Sequence, residues 1–284
     1  MKLKVFINGK ILPEDKACVS VFDRGLSYGD GIYETMKARD GQPLFLNEHL
    51  KRLRTGGRFL GLTGIKGFED MIRGGALQKL LNANGLGRGE AYVKLLVTRG
   101  TDKAGHLPAK GISPTLIIIA KPIDTALIRG IQEKGVSAVF VDDVLPALPG
   151  VKSLNYLPSV LARMKANRRR AFEAIFVKDG FVEEGSSSNV FIVKGGRLLT
   201  PPLSGTPSEG VLAGVTRAAV MIASKKNGIT VRETRLRPKD LYRADEAFIT
   251  NSIMDAVPLV AIEGKKVGGG RPGMLTRLMQ ELLK

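Results

Sequence analysis

The residue pairs Asn8-Gly9, Asp40-Gly41, Asp179-Gly180 and Gly195-Gly196 each stand between short runs rich in apolar and β-branched residues. Such pairs tolerate the positive φ that a two-residue turn needs if its twist is to match the flanking strands, so each marks an antiparallel hairpin. The runs they join are "KLKVFING", "GIYETMKARDGQPLF", "EAIFVKDGFVEEG" and "NVFIVKGGRLLTPP". Further strands are predicted at "AYVKLLVTRG", "TLIIIAKPI", "SAVFVDDVL" and "EAFITNS". An all-β fold is excluded by helical periodicity elsewhere. From Asn47, read as an N-cap, "EHLKRLRTGGRFLGL" sets Leu50, Leu53, Phe59 and Leu60 near helical spacing, with Gly56-Gly57 weakening its middle. "LPSVLARMKANRRR" and the tail "MLTRLMQELLK" read as helices, as does "GVTRAAVMIASKKNG", which is apolar at Val215, Ala218, Ala219 and Ile222 and stops at Asn227-Gly228.

The fold class expected is therefore α/β in the mixed, α+β sense. A chain of 284 residues outgrows one ordinary core, and the pattern restarts after "KPIDTALIRG". The expected division is a small N-terminal α/β domain over 1–120, a linker over 121–130 and a larger C-terminal domain over 131–284. Seams between domains often hold ligands, and "GTDKAGHLPAKG" reads as a loop.

Composition removes several function classes. No apolar run reaches the ~20 residues that span a bilayer, and "MKLKVFINGK" turns polar too soon for a signal-peptide core, so a cytoplasmic protein is expected. The single cysteine, Cys18, rules out an internal disulfide and a cysteine-rich zinc site. With only His49 and His106, metal chemistry and nucleophile triads are poorly supplied. The net charge of +17 invites a nucleic-acid reading, but the basic residues spread from Lys2 to Lys284, aromatics are only 6% and tryptophan is absent. Without stacking platforms, an acidic small-molecule substrate or a generally basic surface accounts for the charge better.

Lys152 lies in "LPGVKSLNYLPSVLARM", directly after a Pro-Gly turn and in an otherwise core-like setting. Burying an ammonium is costly, so either the stem packs while the charge reaches solvent, or the amine is held neutral and reactive. Three other features bear on the choice. "LLTPPLSGTPSEGVLAGVTRAAV" leads into a helix starting at Gly214, Val215 and Thr216, whose first N–H groups can hold a phosphate. Arg52 can add a bidentate contact to it, or be a solvated surface arginine. In "VEEGSSSNVFIV", Glu184 stands where a strand meets a serine-rich turn, with Ser187 and Asn189 able to close that turn on the backbone. A reactive lysine, an acid for a pyridine nitrogen and a phosphate handle are together what pyridoxal phosphate requires, and Tyr156 can supply a phenolic hydrogen bond nearby.

"SVFDRGLSYGDGIYETMKARDG", "LNEHLKRL", "GVKSLNYLPSVLA", "VEEGSSSNVFIV", "GVLAGVTR" and "ADEAFITNSIMDAVPLV" resemble, in order, the motifs of the class IV aminotransferases, the fold-type IV pyridoxal-phosphate enzymes. That family holds branched-chain aminotransferases, D-amino acid aminotransferases and aminodeoxychorismate lyase. The resemblance covers nearly the whole chain. It implies Lys152 as the catalytic Schiff-base lysine, Glu184 as partner of the pyridine nitrogen, and Arg52, Val215, Thr216 and Ser252 around the phosphate. It implies Tyr156 at the phenolic oxygen and Leu212 over one ring face. Tyr33, Tyr92, Lys94, Arg99, His106 and Ile253 fall at or near substrate positions.

The resemblance also implies a homodimer with sites at the seam. Its reaction would be transamination between an amino acid, branched-chain-like or D-, and a 2-oxo acid. The alternative is release of pyruvate by the lyase to form 4-aminobenzoate. Tyr92 and Lys94 in "AYVKLL" could replace the Tyr and Arg of branched-chain enzymes. "TRGTDKAGHLP" puts Ala104 where D-amino acid enzymes and the lyase carry an arginine but keeps His106, with Arg99, Lys103 and His106 as candidates to replace the missing contact. Asn251-Ser252 stands where branched-chain members usually show Gly-Thr, a lyase-like trait. A basic nucleic-acid binder without cofactor is the rival from another class.

Overall fold

In the computed structural model, which describes residues 2–206 and 208–284, the turn pairs all take positive φ: Asn8 46° and Gly9 90°, Asp40 47° and Gly41 75°, Asp179 52° and Gly180 77°, Gly195 54° and Gly196 71°. Each closes the hairpin expected of it. The chain forms two compact units, one reaching to Asp124 and taking in Val151–Asn155, the other made of Thr125–Gly150 and Tyr156–Lys284.

The first unit comprises β1 (Lys4–Ile7), β2 (Lys10–Pro13), α1 (Arg24–Tyr28), β3 (Gly31–Arg39), β4 (Gln42–Pro43), α2 (Leu46–Phe59), α3 (Ile65–Arg73), α4 (Ala76–Ala83), β5 (Glu90–Thr98) and β6 (Thr115–Pro122). Its sheet runs β2-β1-β6-β5-β3-β4, antiparallel at every pairing. Ile32, Glu34, Met36 and Ala38 of β3 point to the buried side, against which α2 packs. The alternate residues Tyr33, Thr35 and Lys37 therefore face the other way. Phe68 and Ile72 of α3 and Leu77, Leu80 and Leu81 of α4 complete this core.

The local detail of this unit departs from the sequence reading at α2 and again at α3 and α4. Helix α2 is preceded by Phe45 as its N-cap, whose backbone is left-handed at φ 54°, and Asn47 lies inside the helix with its side-chain oxygen accepting from Arg73 Nη2 at 2.9 Å. Asn47 is therefore not the cap. Helices α3 and α4 occupy a stretch given no element, because Gly64, Gly74 and Gly75 cut it into pieces too short to show a clear period.

The second unit comprises α5 (Thr125–Lys134), β7 (Val136–Val141), α6 (Leu157–Arg168), β8 (Glu173–Lys178), β9 (Phe181–Gly185), β10 (Asn189–Lys194), β11 (Arg197–Thr200), α7 (Val215–Lys226), β12 (Val231–Glu233), α8 (Pro238–Tyr242), β13 (Glu246–Asn251), β14 (Asp255–Ile262), β15 (Lys265–Lys266) and α9 (Met274–Leu282). Residues 125–130, read as linker, are the start of α5; Ile131 then packs on this unit's core and Gln132 Nε2 donates to Met254 O at 2.7 Å. The mixed sheet runs β12-β11-β10-β13-β14-β7-β8-β9, with β15 on β14. Its pairings are parallel at β11–β12, β14–β7 and β7–β8. Phe191 and Phe248 stack at 5.0 Å under α7 and α9, a pair worth roughly 0.5–1.5 kcal/mol beyond its burial. Ala162 and Ala166 let α6 sit closely on Phe176 of β8. Among the described residues no helix is long and apolar enough to cross a membrane, and no group of three or more His, Cys, Asp or Glu could hold a metal ion.

Candidate active site

In the first unit, Lys152 lies in the Val151–Asn155 segment, which joins the end of β3: Tyr33 N donates to Lys152 O at 3.0 Å and Leu154 N to Gly31 O at 2.9 Å. This backbone pairing sets the amine beside Tyr33. Lys152 Nζ is 3.4 Å from the Tyr33 hydroxyl and 4.4 Å from the ring centroid. Lys94 Nζ lies 4.9 Å from the same ring, because Lys94 pairs with Thr35 in the β3–β5 ladder and so shares the Tyr33 face. Next along that face, Lys121 Nζ stands 4.9 Å from the Tyr92 ring. Burial, and then the charge of Lys121, hold the Lys94 ammonium below its ordinary value. Burial raises the Tyr92 phenol, against a hydrogen bond with Thr35.

On the opposite face of β3, Arg52 of α2 grips Glu34 as a fork, Nε to Oε1 at 2.8 Å and Nη2 to Oε2 at 2.6 Å. His49, one turn earlier, meets Oε2 through Nδ1 at 2.7 Å. Burial would raise the Glu34 carboxyl, but the Arg52 charge and the bonds from Arg52 and His49 outweigh it and bring it down to about 2. Burial lowers His49, with Arg52 and Lys152 adding to the effect against Glu34. With Glu34 ionised and His49 neutral, the shared hydrogen belongs on Nδ1. Glu34 thus orients Arg52, a role the sequence reading missed. The i, i+3 spacing of His49 and Arg52, opposite the strand position after Tyr33, was the available signal.

Arg99 donates to both oxygens of Asp30, at 2.6 and 3.0 Å, and to the carbonyls of Leu60 and Gly61. His106 lies in the exposed loop after β5, its ring 5.7 Å from that of Tyr28 at an edge angle of 65°.

In the second unit, Glu184 stands near the end of β9, its Oε2 accepting from Leu212 N at 2.9 Å and Asn189 Nδ2 at 3.4 Å. The turn that follows wraps around Glu173, which is fully buried and accepts from the hydroxyls of Ser186 at 2.5 Å and Ser188 at 2.9 Å. Tyr156 donates its hydroxyl to Ser186 O at 2.9 Å. This turn therefore fixes Tyr156, with Glu173, absent from the sequence reading, as its anchor, while Leu212 and Asn189 hold Glu184.

Gly214 precedes α7 without a side-chain cap, and a Cβ there would sit 1.9 Å from Asn189 Oδ1. The first helical bond is Ala218 N to Gly214 O. The N–H groups of Val215 and Thr216 precede it and point out of the helix start, the arrangement that receives an anion. Ser252 and Ile253 sit in the β13–β14 turn, where Asn251 Oδ1 accepts from Ile253 N at 3.0 Å and Met254 N at 2.8 Å. Thr250 pairs with Asn189 across β13–β10, and its buried hydroxyl lacks a hydrogen-bond partner among the described residues. A buried orphan of this kind on the face that carries Asn189 suits a group that brings its own polar atoms.

A lysine amine beside a phenol in the first unit and, in the second, a hydrogen-bonded carboxylate and an uncapped helix start are each a kind of group that pyridoxal phosphate requires. The class they define is the lysine-dependent pyridoxal-phosphate enzymes. Residues 31–262 match the model of the amino-transferase class IV family. A Methanocaldococcus jannaschii protein, whose name assigns it only provisionally to the branched-chain-amino-acid aminotransferases, is 40% identical over 99% of this chain and 96% of its own length. The D-alanine aminotransferase of Bacillus licheniformis is 33% identical over 99% of this chain and 96% of its own. The solved branched-chain amino acid aminotransferase of Escherichia coli superposes with a TM-score of 0.86 at 29% identity, covering 99% of this chain and 93% of its own. The chain belongs to the class IV aminotransferase family, with the fold-type IV architecture. It is a pyridoxal-phosphate-dependent aminotransferase, and the transaminase names of these relatives do not favour the lyase reading.

Proposed function

We propose that the chain moves an amino group between an amino acid and a 2-oxo acid, with Lys152 as its catalytic residue. Pyridoxal phosphate, when bound, supplies an aldehyde that a neutral amine can bond and a ring that takes up the electrons left when the substrate Cα loses its proton. Lys152 Nζ takes that proton and returns it on the other side of the transfer. With the cofactor bound, Glu184 would keep the ring nitrogen protonated, Tyr156 and Leu212 would orient the ring, and Arg52, Val215 N, Thr216 N and Ser252 would hold the phosphate. The observation that carries this reading is Lys152 Nζ 3.4 Å from the Tyr33 hydroxyl, on a segment registered by backbone bonds rather than left to a free loop.

For the substrate, the first reading is a branched-chain-like amino acid, supported by the 40% relative and by Ala104 in the loop after β5. The second is a D-amino acid, supported by His106 in that loop and by the D-alanine enzymes among the relatives. In either, Tyr33, Tyr92, Lys94, Arg99, His106 and Ile253 are the substrate-side residues. Lys94, its charge disfavoured by burial and by Lys121, would gain most from an anion that the substrate brings.

We further propose a homodimer. Leu157, Val160, Leu161 and Met164 make an exposed apolar stripe on α6 at i, i+3, i+4 and i+7, a face of the kind a second copy covers. A cytoplasmic location is supported by the single cysteine. The test of function is a half-reaction: protein loaded with cofactor should lose its visible absorption when given members of an L- or D-amino acid panel. Lys152→Ala should be colourless and inert. No conversion with any amino acid of either hand would refute the proposal.

A further inference from the structure

The loop from Thr101 to Ser113 has almost no secondary structure of its own, yet it is tied down, and the tie is Arg24. The Arg24 side chain is buried, 4% exposed. Its Nη1 donates to Gly105 O at 2.7 Å and its Nη2 to His106 O at 2.8 Å. Nε donates to Asp30 Oδ2 at 3.0 Å, the same oxygen that Arg99 Nε takes at 2.6 Å. Its carbon Cζ lies 4.7 Å from the centroid of the Tyr28 ring, and that ring meets His106 edge-on. Arg24, Tyr28 and His106 thus form a stack in which both backbone and ring of His106 are held.

The base of the loop has fastenings of its own, besides the ion pair of Arg24 Nη1 with Asp102 Oδ2 at 3.6 Å. Arg24 N donates to Gly100 O at 2.9 Å and Asp102 N to Phe22 O at 3.1 Å. Asp102 closes the loop on itself by accepting from Ala104 N at 2.9 Å and Ala109 N at 3.0 Å. The tip around Gly105 and His106, by contrast, depends on the guanidinium. A planar fork can satisfy two neighbouring carbonyls and a carboxylate at once; an ammonium, a point donor on a flexible stem, cannot.

Resting on the functional reading above, we propose that Arg24 is a positioning residue for substrate recognition: it holds the tip of the loop so that His106 is pre-set before substrate arrives. A tip ordered in advance does not charge its ordering entropy to binding. The Arg24 guanidinium is spent on Gly105 O, His106 O and Asp30, so it acts through His106, and its loss should weaken substrate binding and spare chemistry.

The experiment compares holoenzyme of wild type, Arg24→Lys, His106→Ala and the double variant, with Tyr28→Leu as a change at an exposed ring outside the core. Arg24→Lys should raise hydrogen exchange in peptides of residues 101–113. It should raise KM for the best amino acid of the panel about tenfold, with kcat and the visible cofactor absorption held within about twofold. Tyr28→Leu should raise KM in the same sense by about threefold, having lost one contact of the stack. In the His106→Ala background Arg24→Lys should add less than about twofold, since its effect runs through that residue. KM effects that multiply independently of His106, or faster exchange with unchanged KM, would overturn the proposal, as would unchanged exchange. Wild type that takes up no cofactor would defeat the functional reading instead, and exchange in 101–113 would still judge the clamp.

Discussion

Replacing Glu34 by Gln removes the charge on which Arg52 and His49 converge while keeping size and shape. The drop of the Glu34 carboxyl from 4.5 to about 2 corresponds by linkage to about 3 kcal/mol of stability at neutral pH. The side chain is fully buried, so solvent screening takes little from that figure. The sign follows from the depressed value. The contribution is complete above the unfolded value of 4.5 and disappears as pH falls towards 2, because the unfolded chain binds the proton first. Gln also turns an NH2 group towards the donors of Arg52 or His49, which adds to the cost of stranding Arg52. Glu34→Gln should therefore lie about 3 kcal/mol or more below wild type at about pH 7, with the gap narrowing between pH 4.5 and about 2. Urea titrations read by hydrogen exchange in the peptides of β3 and α2 isolate the first unit from the second. A gap that stays constant from about pH 7 to about pH 3, or no gap at neutral pH, would refute the reasoning.

Gly214→Ala has an acceptable backbone but no room, since its Cβ would press on Asn189 Oδ1. It should cost about 1–3 kcal/mol in thermal or urea unfolding, and it should weaken cofactor retention, because Asn189 also bonds Leu212 O and Glu184. Leu157→Glu with Leu161→Glu should turn a dimer into a monomer in light scattering after gel filtration; wild type that is already monomeric would dispose of the α6 interface.

What could be read in the sequence was whatever is decided within a few residues. Asp179-Gly180 and Gly195-Gly196 announce their hairpins because the positive φ is a property of the pair itself. The start of α7 was legible through Gly214 and the period of Val215, Ala218 and Ile222. Two kinds of feature were not legible. Helices α3 and α4 are defined by burial of Phe68, Ile72 and Leu80 against a sheet built from residues far away in sequence, and Phe45 caps α2 with a conformation its residue type does not suggest. In the site, Lys152, Glu184 and Arg52 stood out through their motifs, whereas Glu34, Glu173 and Arg24 matter through partners 15, 13 and 81 positions away. A buried carboxylate with several donors cannot be told from a surface one until the donors are assembled.

Strand β3 serves two masters in consecutive residues: Tyr33 looks towards the reactive amine and Glu34 towards the arginine fork. Inserting or deleting a single residue between Gly31 and Glu34 would exchange those duties, turning a phenol into the hydrophobic interior and a carboxylate towards Lys152. Point changes at positions of this strand other than Tyr33 and Glu34 can be absorbed one at a time. A change in its length cannot, so descendants of this chain are expected to vary in the letters of that segment and never in its count.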